Sequence, residues 1–322
     1  MKATVPLETG EKNITTNIGS VQNTGIELGL NFGIIRNKKF TWDVNVAFAR
    51  NWSKIKELPN GDDVSSNWFI GERLNVLRDY TYAGIITADG VTMHTKDGDI
   101  HYTLQEVYDK YGPKSPNKLK WYEGQMAIND WNNDGKIDDN DKQIYGCTDP
   151  KWTGSLSSTM VYKGFDFSFM FYTKQGQWSR SYFHEQYMDI SDRGRQKVNF
   201  DYYIPAGTPV LDKATGDITY LETAHVGAYP YPNNYEKTGG GYFSKSSSGV
   251  RYHKTSFVKV KNITLGYTFP KSWMSKIAVK HLRLYVNVLN PFCFTDYKGF
   301  DPEWASASLT DGGPASVTYQ IG

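Results

Sequence analysis

The feature that most constrains this chain is a period of two in its apolar residues. From Phe40 onward, Phe40, Trp42, Val44, Val46 and Phe48 fall on one face of an extended segment, and Thr41, Asp43, Asn45, Ala47 and Ala49 on the other. Ile26, Leu28, Leu30 and Phe32 alternate in the same way with Glu27, Gly29 and Asn31. Two further pairs follow. Leu156 to Tyr162 and Phe165 to Tyr172 flank Lys163-Gly164, and a row of Ile263, Leu265, Tyr267 and Phe269 precedes a row of Leu282, Leu284, Val286 and Val288. Such rows predict strands with one greasy and one polar face, the pattern of an antiparallel sheet.

The connections constrain the chain further. Within pairs they are short, roughly residues 33–38, 163–164 and 270–280, the last opening at Pro270 as a polar, helical turn. Between pairs they run from about 53 to 151 and from about 175 to 254, and both are rich in Gly, Asn, Asp, Lys and Tyr. Insertions of that size count against a compact soluble domain. Short turns alternating with long loops are the pattern of a transmembrane barrel, whose strands of about ten residues are apolar outward and polar inward. Phe40, Trp42, Tyr162, Phe165 and Phe269 sit beside the short turns, and Phe48, Trp52 and Phe292 near the opposite rim, where interfacial aromatic girdles belong. The expected fold is all-β: part of a large transmembrane antiparallel β-barrel, with about six strands and the start of a seventh at Ser316 to Ile321, and no plug domain in this stretch. Alternation alone also suits a β-sandwich; the order of connections and the aromatic ends favour the barrel.

Averages point elsewhere. Only 39% of the 322 residues are hydrophobic, no apolar run reaches the roughly 18 residues of a membrane helix, and Met1 to Pro6 lacks the apolar core of a signal peptide. Taken alone, these features describe a soluble, unexported chain. Apolar residues on alternate positions, diluted by two long loops, hide a membrane surface from any such average. The 16 Phe, 9 Trp and 23 Tyr are residues that strands prefer. A formal net charge of +2 gives no footprint for nucleic acid and no polybasic patch. Two cysteines rule out a disulfide scaffold; Cys147 and Cys293 both fall toward the long-loop side, which leaves a bridge between them open. With no P-loop, no G-x-S-x-G, no G-x-G-x-x-G and no carboxylate pair apart from one acidic loop, the chain is not expected to be an enzyme.

That acidic loop is the strongest local motif. Asp130, Asn132, Asp134, Gly135, Lys136, Asp138 and Asp141 occupy positions 1, 3, 5, 6, 7, 9 and 12 of a D-x-[DN]-x-[DN]-G calcium loop, with Asp141 in place of the usual Glu. Alternate oxygen ligands wrap one hard cation there, Gly135 allows the sharp turn, and Lys136 contributes its backbone carbonyl. A structural Ca²⁺ is therefore expected; the plainer alternative is a solvated turn held by its own side chains. The second long loop is dense in aromatics, of which Trp178, Tyr182, Phe183, Tyr187, Tyr202 and Tyr203 are candidates for contact with a ligand or a lid, or for packing the loops together. Phe200, Tyr229, Tyr231, Tyr235, Tyr242 and Phe243 add to this density. Glu27, Asn31, Asp43, Asn45, Asp166, Arg283 and Asn287 are expected to line the barrel lumen. His94, His101, His184, His225, His253 and His281 show no ligand spacing and read as loop surface.

Four motifs resemble one family. Asn17-Ile18-Gly19-Ser20-Val21-Gln22-Asn23-Thr24-Gly25-Ile26-Glu27-Leu28 resembles a strand-opening segment of the SusC/RagA-like TonB-dependent outer-membrane transporters of Bacteroidetes. Asp130 to Asp138, followed by Asp141, Gly146, Pro150 and the hairpin Tyr162-Lys163-Gly164-Phe165-Asp166, is similar to a second segment. Ser256 to Tyr267 with Pro270, Leu282 to Val286 and Asn290 resembles a third, and Tyr297-Lys298-Gly299-Phe300-Asp301-Pro302-Glu303 a fourth. The resemblance is to the C-terminal third of such a transporter. It implies a barrel of about 22 strands closed around a plug, outer-membrane import of an oligosaccharide or peptide, a SusD-like surface lipoprotein as lid, contact with the lipid bilayer, and energy from a TonB complex acting through an N-terminal part. The accompanying expectation is of a truncated reading frame, with Met1 an accidental start and the final strand missing after Gly322. The rival of another class is a secreted Ca²⁺-dependent carbohydrate-binding β-sandwich, which would use the same acidic loop and aromatics and would be stable without detergent.

Overall fold

The structure, a computed structural model, describes residues 19–112, 122–184, 201–212, 214–231, 251–306 and 316–322, and the backbone alone of residues 2–4, 13–15 and 185–187. Seven strands form one sheet: β1 (Ser20–Arg36), β2 (Phe40–Glu57), β3 (Trp152–Tyr162), β4 (Phe165–Gln175), β5 (Phe257–Thr268), β6 (Arg283–Phe294) and β7 (Thr318–Ile321). Each pairs antiparallel with its neighbour in the chain, so the strand order in space is the order in sequence.

Local chemistry sets the tight ends. The Asn37 side-chain oxygen accepts from the amides of Lys39 and Phe40 and turns β1 into β2. Between β3 and β4, Lys163 and Gly164 take φ values of 47° and 91°, the mirror-image turn whose twist suits a two-residue hairpin. A Cβ at Gly164 would lie 2.7 Å from the Thr268 carbonyl oxygen, so that position requires glycine. Pro270 opens the predicted helical turn between β5 and β6, as Lys271–Met274.

The register assembles the rows that the alternation implies. Phe32, Val44, Ser158, Phe169, Ile263, Val288 and Tyr319 lie side by side across all seven strands, and Leu30, Val46, Leu156, Phe171, Val260 and Phe292 form the next row. On the other face Gly33, Asp43, Thr159, Ser168, Thr264, Asn287 and Gln320 align. The apolar face is bare: Ile26 is 58% exposed, Leu265 and Leu284 52%, and Ile321 84%. The other sheets among the described residues are two-stranded. None of them is the second layer of a sandwich, so that alternative is set aside, and the all-β chain is a stretch of transmembrane barrel wall. Aromatic contacts mark the short-turn end, where Phe40 meets Tyr162 at 6.3 Å and Phe165 meets Tyr267 at 4.5 Å; Phe48 meets Trp152 at 5.8 Å toward the long-loop end.

Two boundaries differ from expectation. Strand β2 continues to Glu57, with Ile55 still paired to Val21, so the first long connection covers 58–151 where about 53–151 was expected. Beyond Ala49 both faces of β2 carry polar residues, which erases the alternation while the backbone pairing persists. The second connection covers 176–256, against about 175–254.

The first connection is also a folded unit. The strand Val76–Tyr80 pairs with Lys142–Cys147, Tyr82–Ile85 with Met126–Ile128, and Val91–Thr95 with Gly98–Tyr102. The helix α1 (Leu104–Tyr111) starts at Thr103, which exchanges hydrogen bonds with Glu106 in a capping box. Ile86, Met93, Val107, Tyr108, Tyr111, Tyr122 and Ala127 form its core.

Candidate functional site

The acidic loop hangs between the core of this unit and the strand Lys142–Cys147. Asp130, 1% exposed, accepts from the amides of Asp134 (3.1 Å) and Gly135 (2.8 Å) and from the Tyr111 hydroxyl (2.8 Å). Gly135 takes a φ of 83°, as the sharp turn demands. Asp134 accepts from the Lys136 amide, and the Asn132 oxygen from the Asp134 amide. Fully buried Asp141 closes the loop, accepting from the amides of Asn132 (3.3 Å) and Asp138 (2.8 Å). Burial raises the Asp141 carboxyl above its ordinary value and the charge of Asp130 adds to this, against the lowering by backbone amides. Lys110 of α1 reaches Asp130 at 3.6 Å. The loop is thus held by its own backbone amides, which donate to the side chains at positions 1, 3, 5, 9 and 12. Among the described residues, no three His, Cys, Asp or Glu side chains converge closely enough to hold a metal as they stand. A calcium ion would draw on the Asn132 side chain and the Lys136 carbonyl beside the carboxylates.

The aromatic candidates divide. Phe183 and Tyr202 are buried and Tyr203 fully so, and these three pack within the loop layer. The Tyr203 ring lies against Gly124, where a Cβ would come within 2.6 Å of it, and its hydroxyl donates to Glu123. Trp178 and Tyr182 are half-buried, with Lys254 over the Trp178 ring at 5.6 Å and Arg180 over Tyr182 at 4.9 Å. The Tyr187 side chain, and Phe200, Tyr235, Tyr242 and Phe243, lie outside the described residues, as do Asn17 and Ile18 of the first motif. The two long connections are stitched together: the Tyr231 amide donates to the Gly124 carbonyl, Tyr252 donates to Asp79 at 3.1 Å, and Tyr145 packs on Trp178 and Tyr252.

One histidine departs from the surface reading. His184 is fully buried, with its ring stacked 3.8 Å from that of His253 and its Nδ1 hydrogen-bonded to Ser181 at 2.7 Å; Ser181 in turn meets the Tyr297 hydroxyl at 2.5 Å. Spacing rules for metal ligands do not reveal such a packed pair, because its two rings come from different elements. The structure also gathers Lys259, Lys261, Asp301 and Glu303. Lys259 donates to both Asp301 oxygens, at 2.6 and 2.7 Å, and to Glu303 at 2.8 Å; Lys261 donates to the same Glu303 oxygen. Lys259 shares the polar face with Tyr172, and Lys261 is the extra residue of a bulge. Cys147 and Cys293 are free thiols, the first buried and the second exposed.

The expected lumen residues lie on the polar face. Asn31 opposes Asn45, Glu27 opposes Ala49, and Asn45 donates to Ser157 at 3.3 Å. Asp166 takes a two-point bond from Arg283, at 3.1 and 2.5 Å. Thr264 donates to Asn287, which donates to Gln320. Asp43 pairs with Arg36 at 2.7 Å. The wall is polar and internally bonded, the surface a water-filled or plugged lumen needs.

No family model matches the chain. In sequence it is 30% identical to the TonB-dependent receptor P39 of Formosa agariphila, over 93% of this chain and 29% of that protein. It is 29% identical to the TonB-dependent receptor SusC of Bacteroides thetaiotaomicron, over 96% of this chain and 27% of that one. The chain therefore spans under a third of the length of the curated relatives it matches. In fold it matches a chain of the RagAB peptide transporter, at a TM-score of 0.58 and 19% identity over 99% of this chain and 31% of that chain. Along nearly its whole length the chain is similar in sequence to a stretch of the TonB-dependent receptors, SusC among them, and its wall of sequentially paired strands has the fold of their β-barrel.

Proposed function

We propose that the chain forms wall, lumen lining and mouth of an outer-membrane importer that takes up an oligosaccharide or peptide, is energised through a TonB complex and is covered by a SusD-like surface lipoprotein. The observation that carries this reading is the seven-stranded meander with a bare apolar face and a hydrogen-bonded polar face, surmounted by two interlocked loop structures. Relatives named as TonB-dependent receptors and a fold shared with a peptide transporter support it. Of the six aromatic candidates, Trp178 and Tyr182 are the described ones that are only half-buried, which leaves them open to a ligand or the lid. Disruption of the coding region is expected to abolish growth on one glycan or peptide source while growth on a simple sugar continues, with the protein in the outer-membrane fraction. Unchanged growth on every polymer tested, with the protein in a soluble fraction, would overturn the reading.

Within the loop layer the acidic turn is proposed as a structural Ca²⁺ site. Its supporting observation is the burial of both Asp130 and Asp141 in the loop: burial first, and the Asp130 charge in addition, raise the Asp141 carboxyl, and a cation would offset that. Calorimetric titration of the full chain in detergent is expected to show saturable heat with Ca²⁺ that Asp130→Asn removes. Flat heats up to millimolar Ca²⁺ would leave a turn held by its own amides.

A further inference from the structure

The outward face of the wall is not uniform. Near its long-loop end Gly154 leaves a gap among Phe48, Trp152, Leu156, Phe171 and Val258, an apolar cleft of about 250 Å³. The cleft crosses three strands in register, since Gly154 pairs with Phe48 on one side and with Thr173 on the other. Immediately beyond Phe48 the same face of β2 changes character. Arg50, Trp52 and Lys54 follow at alternate positions, opposite Ile26, Thr24 and Gln22 of β1, and all three are exposed, as is Lys56 after them. The Arg50 guanidinium lies over the Trp52 ring at 4.6 Å. Among the described residues none of Arg50, Lys54 and Lys56 forms an ion pair, although Arg36, Lys110, Lys142, Lys259, Lys261 and Arg283 all do. The opposite face of this stretch is occupied, because Ile55 is fully buried and bonded through its backbone to Gly71 and Glu72. The cations therefore stand on the side continuous with the apolar band.

An apolar cleft surmounted by an aromatic residue and two or three unpaired cations matches one kind of molecule. We propose that this face binds a phosphorylated membrane lipid, with one acyl chain in the cleft at Gly154 and the phosphate at Arg50 and Lys54. Arg50 can present two parallel N–H donors to phosphate oxygens, and Lys54 adds a point charge one step further from the bilayer. Trp52 between them sits at the level where an amphipathic ring is favoured. Charge complementarity selects the headgroup, and continuity of the cleft with the apolar band selects a lipid over a soluble anion. The inference rests on the membrane-barrel reading and adds a discrete site to it.

The test places the full chain in bilayer discs that contain a phosphorylated lipid and a neutral lipid with the same acyl chains, and counts retained lipids by native mass spectrometry. Wild type is expected to retain the phosphorylated lipid preferentially. Arg50→Gln with Lys54→Gln should reduce that preference roughly thirtyfold, since each basic residue near a membrane surface contributes about a factor of five. Gly154→Val, which fills the cleft and suits a strand, should shorten retention while the preference for phosphate persists. Insertion of the chain without any headgroup preference overturns the site and leaves the barrel reading intact. Failure to insert overturns both. Release of the lipid by inorganic phosphate alone would overturn the site as well, because the acyl chain would then contribute nothing.

Discussion

Lys259→Met is expected to destabilise the seam between wall and loop layer by about 3–5 kcal/mol, the cost of leaving a buried charge without its partner. The side chains of Lys259 and Asp301 are 3% and 5% exposed, and the ammonium uses its three donors on Asp301 and Glu303. Removing it strands the Asp301 carboxylate in a site that water does not reach and leaves Glu303 with Lys261 alone. The segment that Asp301 and Glu303 anchor also carries Tyr297, which meets Ser181, and Phe300, whose ring lies 4.7 Å from that of Phe183. The loss should therefore extend into the aromatic layer. Hydrogen exchange of residues 295–305 in detergent is the direct measurement, and Lys259→Met combined with Asp301→Asn should recover much of the protection. A change below about 1 kcal/mol would mean that solvent screens the network as it does at an open surface. Acid acts on the same seam. Burial raises the Glu303 carboxyl, but the Lys259 and Lys261 ammoniums outweigh it and hold the group below its ordinary 4.5. A carboxyl depressed in the folded state contributes stability that is complete above its unfolded pKa and is lost as pH falls through the folded one, so this contribution fades only below about pH 4.5.

Mild acid should loosen a different contact first. Burial, with the neighbouring His253 second, holds His184 down to about 3 from an ordinary 6.5. The folded layer keeps this imidazole neutral, whereas the opened layer would protonate it. Between those two values the opened state binds more protons, so stability is full above about pH 6.5 and declines as pH falls toward 3. From pH 6.5 to pH 4 the loss should be about 3 kcal/mol. Among the described residues the ring packs against His253, Tyr229, Tyr297, Phe183 and the Ser181 hydroxyl, and none of these five is a carboxylate. Exchange of the amides at 181–184 and 251–254 should accelerate over this range in the wild type. In His184→Gln it should stay flat, and acceleration of equal size in that variant would assign the effect to another group.

The wall was legible in the sequence because its two faces meet different solvents, so that every second residue reports its side. Phe40 to Phe48 and Phe165 to Phe171 could hardly do otherwise in a membrane-facing sheet. Legibility ended where that contrast ended. Above Ala49 each face of β2 mixes polar residues with a single apolar one, Trp52 or Ile55, and the strand could be followed only through its pairing with β1. The folded unit within the first connection escaped for another reason: its strands of three to six residues are too short for a period to be counted. At the candidate sites, the acidic loop was visible because its residues are consecutive. His184 with His253, and Lys259 with Asp301, join residues 69 and 42 positions apart. No local spacing announces such pairs, and His184 looked like a surface residue because its neighbours in sequence are polar or aromatic loop residues.

The paired neck of the first connection has a further consequence, in chain entropy. Asn75 and Thr148 are hydrogen-bonded through their backbones, Val76 pairs with Cys147, and Arg73 ties the carbonyls of Asn51, Asp149 and Pro150 together. Once that neck has closed, the roughly ninety residues between β2 and β3 act, for the meeting of those strands, as a tether of roughly twenty. Loop-closure cost grows with the logarithm of length, so the shortening is worth only about 1 kcal/mol. Its larger effect is on order of events: an insertion that folds by itself delivers β3 to the edge of β2, and a large decoration at the mouth of the barrel need not slow the growth of the wall beneath it.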